Sequence, residues 1–147
     1  MVSVAAVVYR SKADKYFRLR GQQLKDSIII NMRYCDYDCL TGQPNVERHH
    51  VLMGQMRSKA DEDGLWIPLT KQHHTEGSKP QTGVRCDIHH CELLRTMSQM
   101  LAQTAWEKDY ILNIIKNADE DIYGERVDEL CVMAREAFKR RYGRSYL

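Results

Sequence analysis

The chain has 147 residues, with 22 Lys+Arg against 20 Asp+Glu and a formal net charge of +2. That length accommodates one domain, or one domain with a helical tail, but not two full ones. A hydrophobic content of 43% with three prolines and eight glycines excludes a disordered or collagen-like chain. No apolar run approaches the roughly 20 residues that span a bilayer, so no membrane segment is expected.

The first segment, residues 1–33, carries seven basic side chains and two acidic ones. Its opening Val2-Ser3-Val4-Ala5-Ala6-Val7-Val8-Tyr9 predicts a strand near residues 2–10. It is too short and too poorly flanked for a signal peptide, and the absence of an export signal implies a soluble protein in a reducing cytoplasm. A second apolar run, Ser27-Ile28-Ile29-Ile30, predicts another short strand, and periodicity does not decide between helix and hairpin for the stretch between the two.

Residues 34–90 are rich in turn formers, and only Leu65-Trp66-Ile67-Pro68-Leu69 reads as a strand, with Pro68 making it an edge or irregular one. From Cys91 the pattern becomes helical. Leu93, Leu94, Met97, Met100 and Leu101 fall on one face, expected to pack in the core, and the apolar signal continues to about Lys116. Val127, Leu130, Cys131, Ala134, Ala137, Phe138 and Tyr142 mark a last helix ended by Gly143, with Cys131 expected in the core. Residues 107–130 hold eight acidic and three basic side chains, a surface that a partner protein could use. The reading is α+β: short N-terminal strands, an irregular His-rich centre and a C-terminal helical segment.

The histidines carry the chemistry. All six lie within 42 residues as three adjacent pairs: His49 and His50, His73 and His74, His89 and His90. Two consecutive His on an extended strand point to opposite sides, so one can ligate a metal while the other faces a substrate beside it. Imidazoles on one divalent cation leave positions open for water and a phosphate oxygen. A neutral imidazole beside that cation can accept a proton from water. Five cysteines fit a disulfide framework poorly. Cys35, Cys39, Cys86 and Cys91 could instead form an all-thiolate structural zinc site, or be buried thiols. Glu47 and Asp87 are placed either to fix imidazole tautomers or, as expected more often, to be surface charge.

The ordered string Cys35-x3-Cys39, Glu47-Arg48-His49-His50-Val51, Arg57, Gly64-Leu65-Trp66-Ile67-Pro68-Leu69, His73-His74, Ile88-His89 and Ala102-Gln103-x2-Trp106-Glu107 resembles the small HNH-type nuclease-like proteins of bacteriophages and prophages. The ending Phe138-x3-Tyr142-Gly143-Arg144-Ser145-Tyr146-Leu147 is similar to theirs as well. The resemblance implies a ββα-metal domain over residues 34–106, after the basic segment 1–33 and before C-terminal helices, 107–147, packed on the same domain. It implies a metal-dependent endonuclease hydrolysing DNA phosphodiester bonds in a bacterial host cell. His49 and His74 would be metal ligands, His89 a third, His50 the general base, and Arg57 the cation beside the scissile phosphate. The ion would be Mg, Mn, Zn or Ni.

Two departures from that pattern stand out. The middle Asn of the HNH name has no counterpart; Gly64 or Leu65 occupies its region, and Asp63 is the nearest polar substitute. The cysteine knuckles are incomplete, with Thr70 and His73 where the second would stand. The missing Asn and the acidic 107–130 stretch favour an alternative: an inactive scaffold that recognises nucleic acid or inhibits a partner such as a host defence nuclease.

Overall fold

The computed structural model describes residues 25–77, 87–118 and 126–147. The strand expected near residues 2–10, Cys86 and part of the acidic 107–130 stretch lie outside the described residues. The described elements are mixed α and β. Strand β1 (Val46–His50) is followed by a short helix, α1 (Arg57–Asp63), and then by strand β2 (Trp66–Thr70). A single π-helical turn (Gln72–Glu76), the long helix α2 (Glu92–Asn117) and helix α3 (Val127–Tyr142) complete the order. Among the described residues no helix is long and apolar enough to cross a membrane.

The strands pair antiparallel, with Glu47 opposite Leu69, His49 opposite Ile67 and His50 opposite Trp66. Pro68, opposite Arg48, is tolerated because a strand residue directs its N and its C=O to the same side. The Pro68 carbonyl accepts from the Cys39 N–H, so its missing donor faces away from β1. Trp66 and Thr70, two residues either side, also bond outward, to the Ser27 hydroxyl and the Asp38 carboxylate. The arm before β1 thus covers the free edge of β2, and every residue of β2 is buried.

Ile28–Ile30 do not form the expected strand. The Ser27 hydroxyl accepts from the N–H groups of Ile29 and Ile30, closing a tight turn. One backbone bond, Ile28 N–H to the Gly64 carbonyl, docks the turn, and the three isoleucines pack against the core from outside the sheet. That core gathers Val51, Leu52, Leu65, Ile67, Leu69, Ile88, Ala102, Phe138 and Tyr142.

Both C-terminal helices form where periodicity predicts them, but α2 presents a different face. Leu93, Met97, Met100 and Leu101 are exposed, and only Leu94 of that stripe packs against the core. The buried positions are Ser98, Ala102, Gln103 and Glu107. A hydrogen-bonded network makes this polar face stable inside. Gln103 donates to Glu107 and accepts from the Tyr146 N–H, and Arg135 of α3 reaches Glu107 at 3.4 Å. Cys131, expected in the core, is exposed.

Asp63 at the end of α1 joins the three helices. It accepts from Trp106 Nε1 of α2 at 2.8 Å, from both Nε and Nη2 of Arg141, and from the Tyr142 hydroxyl. Burial and the neighbouring carboxylate push the Tyr142 phenol well above its ordinary range. Asp63, the nearest polar residue to the missing Asn, is therefore a packing anchor between helices.

Candidate metal centre

β1, the π-helical turn and the turn before α2 each contribute an adjacent His pair. In each pair one imidazole enters a shared cluster and its neighbour meets a carboxylate. The cluster is His49, His74 and His89, each offering a ligand nitrogen within 4.8 Å of the others. Their ring centroids are 5.1, 5.3 and 4.9 Å apart. The neighbours diverge: His50 to Asp61, His73 to Asp38, and His90 to Asp87.

Local structure explains the convergence. His49 and Glu47 share one face of β1 because side chains alternate along a strand. On that face Glu47 Oε2 meets His74 Nδ1 at 2.9 Å, which leaves Nε2 of His74 as its available lone pair. His89 is placed by Asp87, a fully buried carboxylate. Asp87 accepts from the backbone N–H groups of Gly77, His89 and His90, and the Ile88 N–H bonds the His73 carbonyl. Those bonds clip the turn carrying His89 onto the end of the turn carrying His74.

The electrostatics favour neutral rings. His49 is 2% exposed, and burial, reinforced by His74, His89 and His50, pushes its pKa down to about 3. Burial and the nearby His74 also lower that of His89. Imidazoles kept neutral at His49 and His89, with His74 beside them, suit a divalent cation. This group could hold a metal ion, and it is the one such group among the described residues.

His50, at the end of β1, points away from Glu47 and His49. Its Nδ1 is 2.5 Å from Asp61 Oδ1, and its Nε2 faces the Arg57 guanidinium at 3.2 Å. Burial holds its pKa below the ordinary value; Asp61 pulls it up, whereas Arg57 and His74 push it down.

The cysteines behave differently. Cys35 is buried, Cys39 is exposed, and among the described residues neither joins Cys91 in a metal group. The loop between the first two is held by Asp38, whose side chain is fully buried. Asp38 Oδ2 accepts from the Thr70 N–H (2.6 Å), the Thr70 hydroxyl and His73 Nδ1 (both 2.8 Å), and Oδ1 accepts from the Leu40 and Thr41 N–H groups. Burial raises the Asp38 pKa, but these donors outweigh it and bring the value down to about 2. Thr70 and His73, the positions of the missing knuckle, thus close the same loop through a carboxylate.

Sequence reasoning reached His49, His74, His89, His50 and Arg57, and missed Asp61 and Asp38. The signal for Asp61 was its i,i+4 spacing from Arg57, which puts both on one face of α1. No family model, curated protein or solved structure matches this chain.

Proposed function

We propose that the chain is a divalent-metal-dependent endonuclease of HNH type that hydrolyses DNA phosphodiester bonds. The observation that supports it most is the convergence of His49, His74 and His89 from three separate segments, with a fourth imidazole, His50, following His49 in β1 and flanked by Asp61 and Arg57.

His49, His74 and His89 would hold Mg²⁺, Mn²⁺, Zn²⁺ or Ni²⁺, with a nitrogen donor set that suits the later metals best. When bound, such an ion stabilises negative charge on the phosphate and the leaving oxygen. The remaining work falls to the chain itself. Arg57, exposed at the start of α1, is drawn from His50 to the phosphate of an arriving strand, because a guanidinium binds phosphate oxygens through charge-assisted bonds. His50 Nε2 is thereby uncovered and takes a proton from water as the water oxygen attacks phosphorus. The P–O bond to the leaving group breaks, and the leaving oxygen is protonated from solvent. Asp61, beside Nδ1, stabilises the imidazolium formed.

Incubation with supercoiled plasmid and Mg²⁺, Mn²⁺, Zn²⁺ or Ni²⁺ tests this reading. Nicking that a chelator abolishes, and that His50→Ala loses while retaining metal, supports it. Retained cutting by His50→Ala removes that residue from the mechanism.

One observation favours a second reading, a non-catalytic module that binds nucleic acid or a partner protein: Arg57 already occupies the nitrogen that must act as base. No nicking with any of the four metals, combined with DNA or protein binding, selects this reading.

A further inference from the structure

Arg57 and Asp61 lie one helical turn apart on α1 and face the two ring nitrogens of His50 from the same helix face, Arg57 at hydrogen-bond distance from Nε2 and Asp61 in close ion-pair contact with Nδ1. Arg is a donor only, so the nitrogen facing it, Nε2, carries the lone pair. The single proton of the neutral ring is therefore on Nδ1, which lies 2.5 Å from Asp61 Oδ1. The pair is well screened from water, with side-chain exposures of 12% for His50 and 25% for Asp61, so solvent competes weakly for either group. α1 itself is anchored elsewhere, through Asp63 to Trp106, Arg141 and Tyr142. Asp61 is thus not needed to hold the helix in place.

We infer that Asp61 is the positioning residue of His50: it fixes the ring orientation and keeps the proton on Nδ1, so that the Nε2 lone pair faces the site. The catalytic consequence rests on the nuclease reading above; the orienting role stands on geometry alone. Arg57 acts on the other nitrogen and is exchangeable, since it is exposed and a phosphate can draw it away. Asp61 keeps its contact throughout.

Two measurements on the full chain separate the claims. Long-range ¹H–¹⁵N correlation at about pH 8, where imidazoles are neutral, reports the tautomer, and His50→Gln identifies the His50 signals. The wild type shows Nδ1–H at His50, and Asp61→Ala shifts it toward Nε2–H. An unchanged tautomer and ring signature in Asp61→Ala overturns the inference. In the plasmid assay with Mn²⁺, Asp61→Ala lowers kcat by about 10²–10³-fold with little change in KM, and Asp61→Glu recovers part of it. A shifted tautomer with unchanged kcat overturns the catalytic role. A wild type that never nicks DNA overturns the nuclease reading, while the NMR result still decides what Asp61 does.

Discussion

Glu47 and His74 are 27 residues apart in the chain, and Glu47 Oε2 lies 2.9 Å from His74 Nδ1. The contact joins β1 to the π-helical turn at the point where His49 and His74 approach each other. It fixes which nitrogen of His74 can face an ion, because a ring that donates through Nδ1 presents Nε2. Glu47→Ala should therefore weaken divalent-metal binding by about 10–100-fold and leave the fold intact. Isothermal titration with Zn²⁺ or Ni²⁺ measures this. Unchanged affinity would mean that the carboxylate does not orient the ligand.

Acid should destabilise the metal-free protein in two stages, and the sign follows from the direction of each shift. The unfolded chain protonates His49 near pH 6.5, whereas the folded one resists until about pH 3. The unfolded state binds more protons in that window, so stability is present above pH 6.5 and is lost as the pH falls toward 3. Asp38 adds a second loss, as the pH drops from 3.8 through about 2. Urea midpoints measured in chelator from neutral pH down to about pH 4 should fall steadily, and His49→Gln should flatten much of that slope.

Gly64 ends α1 with a φ of +74°, and a Cβ there would come within 2.2 Å of the Asp26 carbonyl oxygen. Left-handed strain and a backbone clash act together at this position. Gly64→Ala should cost at least about 2 kcal/mol, read as a lowered urea midpoint. Asp26 belongs to the arm that covers β2, so the variant should also loosen Ser27 and the Trp66 contact it makes.

Asp63 and Asp61 sit two residues apart on one helix but serve different ends. Asp63→Ala leaves Arg141, Trp106 and Tyr142 without their shared acceptor, and removing one partner of a largely buried ionic network costs about 3–5 kcal/mol. Asp61→Ala should lower stability far less. Parallel urea melts of the two variants check the contrast, and equal losses would contradict the division of roles.

The site was more legible in the sequence than the packing around it. Ligand-type residues clustered in three pairs declare themselves, because imidazoles gathered in one region need a reason to be there. Which member turns inward in the first two pairs depends on carboxylates 11 and 35 positions away, Asp61 for His50 and Asp38 for His73, and one-dimensional spacing does not show such partners. The helix Arg57–Asp63 is too short for periodicity to reveal it, so the face shared by Arg57 and Asp61 went unread. On α2 the error ran the other way. Leu93, Met97, Met100 and Leu101 satisfy an apolar stripe, yet the side that packs is the one where Gln103 and Glu107 find hydrogen-bond partners. Periodicity identifies a helix; tertiary partners choose its buried face.

The most direct test is a crystal soaked in Zn²⁺ or Mn²⁺ with data collected at the metal absorption edge. One anomalous peak is expected within about 2.0–2.2 Å of nitrogens from His49, His74 and His89 together, with His50 outside the coordination shell and still against Asp61. A peak on other residues, or three imidazoles that stay apart with no ion between them, would contradict the metal centre and the nuclease reading built on it.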